Sequence, residues 1–269
     1  MLDLYHHGSS VCAAKVRIYL EEKGLDWSGH YIDILKGDQF DPAYIKLNPK
    51  AVVPTLLHDG NVICDSTVIC EYIENVFPDA PLRPKDPIEV AKVMEWTKAV
   101  DEALHPACGF LTFLTCHRHI VLRLGEKGVE DFLSSTPRLS VTADWHETKK
   151  SIVRQGFEAP GAEAKVKLYD LYLHKMEGSL QNKDWLAADR FTFADIAMMP
   201  YVNRLDMLSM ADMWKNGRLP KVEDWFARVQ KRDSFQPMLL DWCPDDLTND
   251  LKIFGAESWP SIRKILKIT

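Results

Sequence analysis

The 269-residue chain has no run of about 18 consecutive apolar residues, so no helix is expected to cross a membrane. Its opening residues, Met1–Tyr5, lack the basic and then long apolar pattern of a secretory signal, which leaves a cytoplasmic protein as the expectation. Positive charge is also short. The 33 Lys and Arg face 39 Asp and Glu, for a formal net charge of −6. A nucleic-acid surface needs dense positive charge to displace counterions, so neither nucleic acid nor membrane is expected as a partner. The six cysteines (Cys12, Cys64, Cys70, Cys108, Cys116, Cys243) form no CxxC pair and no dense framework, so free thiols in a reducing compartment are expected. Internal repeats and low-complexity runs are absent. No metal is expected either: Cys116, His117 and His119 stand at i, i+1 and i+3, and on a helix these do not converge on one ion.

What remains is a globular composition, 46% hydrophobic and 27% charged, long enough for one large or two modest domains. The first 80 or so residues alternate strand and helix signals. Leu2–Tyr5 reads as a strand, and Cys12–Lys23 as a helix stopped by Gly24. Trp27–Leu35 reads as a second strand and Pro42–Leu47 as a short helix. Val52–His58 and Asn61–Cys64 are strands joined by the tight Asp59-Gly60 turn, and Ser66–Val76 is a helix. The order is β-α-β-α-β-β-α. Pro78, Pro81, Pro84 and Pro87 then mark an extended linker. The expected division is therefore 1–78, a linker 79–87, an all-α domain 88–240 and a tail 241–269. In the all-α part, Ile88–Leu124 reads as a long helix kinked at Pro106. Thr148–Phe157, Ala162–Ser179, a segment starting at Thr192 and Val222–Val229 read as further helices, whereas Val129–Val141 is ambiguous. Little regular pattern is evident from Pro237 until Ile262–Ile268.

Three short segments carry chemistry. In Tyr5–Cys12 a strand ends, turns and feeds a helix, whose unpaired first-turn N–H groups and dipole favour an anion. A Ser hydroxyl there caps the helix or donates to a thiolate, and a Cys there has its own pKa lowered. At Val53-Pro54 the proline belongs to a strand start or edge. A cis bond at that step would turn the Val53 backbone outward, to pair with a peptide-like ligand; an ordinary trans edge proline is the plainer alternative. At Asp65-Ser66-Thr67 a carboxylate and a hydroxyl at a helix start either cap the helix or bind an α-amino-acid end group.

The order and spacing of these segments resemble the cytosolic glutathione transferase family. The resemblance is carried by Ser9–Arg17 (SSVCAAKVR), Leu20–Leu25 (LEEKGL), Leu47–Thr55 (LNPKAVVPT), Asp59–Tyr72 (DGNVICDSTVICEY) and Trp185–Ile196 (WLAADRFTFADI), and it spans residues 2–240 or so. It implies a thioredoxin-like N-terminal domain, an all-α C-terminal domain, glutathione as cosubstrate and a homodimer. Position by position, it implies that Ser10 stabilises the glutathione thiolate, that Val53 with cis Pro54 pairs with the cysteinyl part, and that Asp65 and Ser66 hold the γ-glutamyl end. Lys50 and Gln39 would contact the glycyl end. Thr192 and Asp195 have the spacing of a purely structural capping box.

The expected activity is transfer of glutathione to a hydrophobic, aromatic electrophile, in the context of detoxification or aromatic compound metabolism. The acceptor is expected against His7, Phe110, Phe113, Leu114 and His117; helix core is the plain alternative for the last four, and a strand-end pair with His6 for His7. Ser66–Pro78 and Trp96–Glu102 are similar to bacterial β-aryl etherases of the family, which makes ether cleavage one outcome of the same attack. Arg204–Met210 and Lys231–Phe235 are similar to reductive-dehalogenase-like members, which carry a reactive Cys at the position of Cys12. Cys12 thus stands between a small packing residue and the nucleophile of a glutathione-dependent thiol reductase or dehalogenase. A non-catalytic binding protein is the third possibility, disfavoured by the intact Ser10, Val53-Pro54 and Asp65-Ser66.

Overall fold

The computed structural model describes residues 1–135 and 145–268. The part of the Val129–Val141 expectation beyond 135 lies outside them. The chain begins with β1 (Leu2–His6), α1 (Val11–Glu22), β2 (Ser28–Tyr31), α2 (Pro42–Leu47), β3 (Thr55–His58), β4 (Asn61–Cys64) and α3 (Ser66–Val76). The sheet order is β2-β1-β3-β4, with β1 parallel to β2 and the other pairs antiparallel. Two strands are shorter than their apolar runs suggest. Pro54 has no N–H to give, so the β3 ladder begins at Thr55, opposite Tyr5 and Cys64. At the sheet edge, β2 ends at Tyr31; after Ile32 donates to the His6 carbonyl, Asp33 turns the chain by accepting from the backbone of Leu35 and Lys36.

A long helical run follows. It comprises α4 (Pro87–Ala99), α5 (His105–Thr112) and α6 (Arg118–Leu122), joined by π turns at Val100–Leu104 and Phe113–His117. The expected break at Pro106 takes the form of the first π turn. Proline lacks an N–H, and His105 N reaches back five residues to the Val100 carbonyl. The remaining helices are α7 (Gly125–Ser135), α8 (Trp145–Gln155), α9 (Ala162–Ser179), α10 (Phe193–Met207), α11 (Pro220–Val229) and α12 (Asp245–Leu266). No helix among the described residues is long and apolar enough to cross a membrane.

The start of α10 is closed by a reciprocal cap. Thr192 N donates to Asp195 Oδ2 at 3.0 Å, while Ala194 N donates to Thr192 Oγ1 at 3.3 Å. Asp195 is fully buried and also accepts from Leu186 N and Trp225 Nε1, so one carboxylate ties three segments together.

The segment after Pro237 corrects the sequence reading. It carries α12, a helix of 22 residues that buries Leu247, Leu251, Phe254, Ser258 and Ile262. That spacing is one helical stripe, but Ser258, Gly255 and Pro260 interrupt its apolar character. Gly255 is there for proximity: a Cβ would stand 2.1 Å from the Leu208 carbonyl oxygen at the end of α10.

Two hydrophobic cores result. The larger joins the sheet, α1 and α3 to α4, α5 and α9–α12. The smaller lies under α6–α8, where Val121, Leu133, Ile152 and Val153 close over Phe110, Phe113 and Leu114.

Candidate active site

The β1–α1 turn is the centre of the site. Ser10 is the N-cap of α1, with an extended backbone (φ −72°, ψ 117°), and its Oγ accepts from Ala13 N at 3.2 Å. A hydroxyl that accepts in this way still has its own proton to give. The capping and donor readings are therefore compatible in one side chain, which is half-buried.

The turn is held from behind by Arg17. This guanidinium is fully buried and faces no carboxylate among the described residues. It donates to the carbonyls of His7 (3.2 Å), Gly8 (3.1 Å) and Met238 (2.8 Å), and its charge lies over the Trp242 ring. The C-terminal segment thus seats directly on the turn: a Cβ on Gly8 would meet the Trp242 carbonyl oxygen at 1.7 Å. From the other side Arg204 of α10 donates to the Ser9 carbonyl.

The remaining residues singled out for glutathione lie on the same domain. The Val53–Pro54 peptide is cis, and Val53 sits two residues before the strand ladder begins. Asp65 is at the N-cap position of α3 with φ +68°, an unusual conformation for a non-glycine residue. Its carboxylate makes no capping bond and is instead paired with Lys50, whose Nζ lies 2.7 Å from Oδ2. Both partners are about half exposed, so the pair is weak and free to rearrange around a ligand. Ser66 is buried at the first position of α3. Gln39 is turned back onto its own loop, where Nε2 donates to the Ile34 carbonyl.

The acceptor residues divide. Phe110, Phe113 and Leu114 are buried in the second core, where residues of α6–α8 pack against them. His7 and His117 remain near the turn. His7 Nδ1 meets the Ile32 carbonyl at 3.0 Å, and Nε2 of both imidazoles is buried without a hydrogen-bond partner among the described residues. Burial pushes the His117 pKa down to about 4, with the charges of Arg204, Lys149 and His7 adding to it. Burial, reinforced by Arg17 and Arg204, also lowers that of His7. Both rings are neutral at physiological pH and offer one donor and one acceptor apiece.

Cys12 has chemically active neighbours. Its Sγ lies 3.4 Å from His105 Nδ1 and 3.7 Å from the Tyr201 hydroxyl. Burial would raise its pKa, but the adjacent imidazole, Lys15 and the tyrosine outweigh that and bring it to about 6. His105 is raised in turn, chiefly by the sulfur charge. His105 and Tyr201 carry no local motif, and Arg17 and Arg204 stand at the ends of segments that carry the resemblance without a role of their own being legible there. The only pointer was the proline after His105.

Two family models match the chain in order. They are the glutathione S-transferase N-terminal domain over residues 9–76 and the glutathione S-transferase C-terminal domain over 142–233. Protein LigF of Sphingobium sp. (strain NBRC 103272 / SYK-6) is 28% identical over 250 residues, covering 91% of this chain and 96% of that protein. The tetrachloro-p-hydroquinone reductive dehalogenase of Sphingobium chlorophenolicum is 28% identical over 246 residues, covering 87% and 94%. The crystal structure of the β-etherase LigF from Sphingobium sp. strain SYK-6 superposes with a TM-score of 0.77 at 27% identity, covering 88% of this chain and 98% of that one. With its sheet domain, its helical domain and the Ser-bearing turn between them, the chain belongs to the glutathione S-transferase family, enzymes that use glutathione as cosubstrate.

Proposed function

We propose that this enzyme transfers glutathione to hydrophobic aromatic electrophiles, and that β-aryl ethers are among them. The observation that carries the reading is Ser10 at the N-cap of α1, its hydroxyl proton available beside the first-turn N–H groups. A free thiol of pKa about 8.5 is mostly protonated at neutral pH. A hydroxyl donor and a helix N-terminus both favour the thiolate, and each unit of lowering corresponds to about 1.4 kcal/mol. Val53 is assigned to the cysteinyl backbone, Asp65 and Ser66 to the γ-glutamyl end, and Lys50 and Gln39 to the glycyl end. The thiolate then attacks the electrophilic carbon. The C–S bond forms as the bond to halide or aryl oxide breaks, and the leaving group departs with the electron pair. His7 and His117 are assigned to the polar edge of the acceptor, with Phe110, Phe113 and Leu114 as the apolar layer behind.

Ser10→Ala tests this. It should raise the kinetic pKa of bound glutathione by about one unit and lower turnover at pH 6.5 roughly tenfold. An unchanged pH–rate profile refutes the assignment. A panel containing a β-aryl ether, a chloronitrobenzene, a chlorohydroquinone and a mixed disulfide separates the acceptor classes.

A second reading, glutathione-dependent reduction through Cys12, is favoured by the imidazole 3.4 Å from its sulfur. The similarity to LigF and to the dehalogenase supports the two readings respectively. We further infer a homodimer, in which exposed apolar side chains such as Val62, Val68, Ile88 and Met94 would be covered by a C2 partner.

A further inference from the structure

Cys12, His105 and Tyr201 close a triangle. Sγ is 3.4 Å from Nδ1 and 3.7 Å from the tyrosine Oη, and Oη is 3.3 Å from Nδ1. The three residues come from α1, α5 and α10, so the triangle bridges the two domains. Tyr201 is wholly buried, and a buried phenol needs a hydrogen-bond partner. Among the described residues its hydroxyl meets only the sulfur and the imidazole. Burial keeps that phenol protonated, so it is a donor. A cysteine that merely fills space needs neither group. Access is present too: Cys12 is half-buried and His105 exposed.

The helix is also locally rebuilt to make the contact. The π turn at Val100–Leu104 sets the phase of His105, and it sends Asp101 to the buried Lys15 at 3.0 Å. The titratable groups facing Cys12 are therefore Lys15 on its own helix, His105 with Asp101 on the long helix, Tyr201 on α10, and the thiols of Cys70 and Cys108.

We propose that His105 and Tyr201 are positioning residues that hold Cys12 as the thiolate which the second reading above requires. The proposal rests on that reading, in which Cys12 exchanges with glutathionyl mixed disulfides beside glutathione bound at the Ser10 turn. In the exchange, the Cys12 thiolate attacks the glutathionyl sulfur of R–S–S–G. The Cys12–glutathione S–S bond forms as the R–S bond breaks, and the departing thiolate takes the proton of the His105 imidazolium. A second glutathione thiolate, its proton passed to His105, attacks the same glutathionyl sulfur. Glutathione disulfide leaves, and the electron pair returns to Cys12. The net reaction consumes one mixed disulfide and one glutathione, and yields one thiol and one glutathione disulfide.

The test is the pH dependence of iodoacetamide alkylation at Cys12, read on the Cys12 peptide by mass spectrometry. The native enzyme should titrate with a midpoint of about 6. His105→Asn should move the midpoint up by about two units and slow alkylation at pH 6 about 50-fold, by loss of thiolate. Tyr201→Phe, which keeps the ring, should move it less. Ser10→Ala should leave it in place. Glutathione should protect Cys12 from alkylation, and turnover of 2-hydroxyethyl glutathionyl disulfide should fall with the same His105 dependence. An unmoved midpoint in both His105→Asn and His105→Gln overturns the positioning role even where glutathione protects. A moved midpoint without protection leaves the triangle standing and overturns the glutathione-site reading beneath it. A moved midpoint with protection but no exchange overturns the nucleophile.

Discussion

Arg17 offers a direct test of how the fold supports the site. Its buried guanidinium donates to the buried carbonyls of His7 and Gly8 and to the partly buried carbonyl of Met238, with no acidic partner among the described residues. Arg17→Met keeps much of the chain volume and removes the fork. Two buried carbonyls and a partly buried one then lose their donor, at on the order of 1–3 kcal/mol each. Against this, the desolvation cost of burying the cation disappears, which offsets part of the loss. A net destabilisation of roughly 3–5 kcal/mol is expected. At about 2–4 °C per kcal/mol for a chain of this size, Tm should drop by about 10 °C. Arg17→Lys should recover only part of this, because one ammonium cannot span two edges. Two of the three carbonyls immediately precede Ser9-Ser10, so the turn also loses its preset geometry. Glutathione affinity, measured by calorimetry well below the lowered Tm, should fall about tenfold. A Tm within 2 °C or so of the parent's, with unchanged glutathione affinity, would refute the reasoning by showing that water replaces the fork at no cost.

Glycine contrasts supply a second prediction. Gly255→Ala drives a Cβ to 2.1 Å from the Leu208 carbonyl oxygen and should cost at least about 1–3 kcal/mol, whereas Gly178→Ala in α9 meets nothing within 4 Å and should raise Tm slightly. Equal shifts in thermal melts would sink the packing account of α12. Asp195→Ala strips the acceptor from Thr192 N, Leu186 N and Trp225 Nε1, and should lower urea-unfolding stability by roughly 3–5 kcal/mol. A loss under about 1 kcal/mol, the scale of an ordinary cap, would show that the hub is unimportant.

Three strongly shifted groups shape the acid side of the stability curve. Burial lowers His6 to about 3 and His117 to about 4, so between pH 6.5 and those values the unfolded chain binds protons that the folded chain does not. Stability therefore falls with pH by about 1.4 kcal/mol per unit for each histidine. Asp195, raised by burial to about 6, takes its proton first in the folded state and offsets one of them down to its ordinary 3.8. His117→Asn should flatten the pH 6.5 to 5 loss by about 2 kcal/mol. An identical pH dependence in parent and variant would rule out a neutral buried His117.

Much of the fold was legible because its signals act within a few residues. Pro42–Leu47 and Ala162–Ser179 are helices over the ranges their patterns predict. Asp59-Gly60 turns the β3–β4 hairpin, and Thr192 with Asp195 announces the start of α10. Each rests on local chemistry: a cap, a glycine, a proline or an apolar period. Ser10 at a strand-to-helix turn was legible for the same reason. The stripe of α12 was present but obscured, because Ser258 takes a core position and Gly255 answers to a neighbour far away in the chain.

The sequence by itself thus determined the β-α-β-α-β-β-α order of the first domain, the capped starts of α1 and α10 and the family, since all of these are written in short contiguous motifs. The tertiary structure alone decided the surroundings of those motifs. It packed Phe110, Phe113 and Leu114 against α6–α8, where the sequence left both a pocket wall and helix core open. It also set Arg17 beneath the turn, and brought His105 and Tyr201, 93 and 189 residues away in the chain, to Cys12. No local signal specifies such meetings, because they are made by the packing of α5, α10 and the C-terminal segment against α1. That packing decides whether a small thiol in the first turn of a helix is filler or an anion.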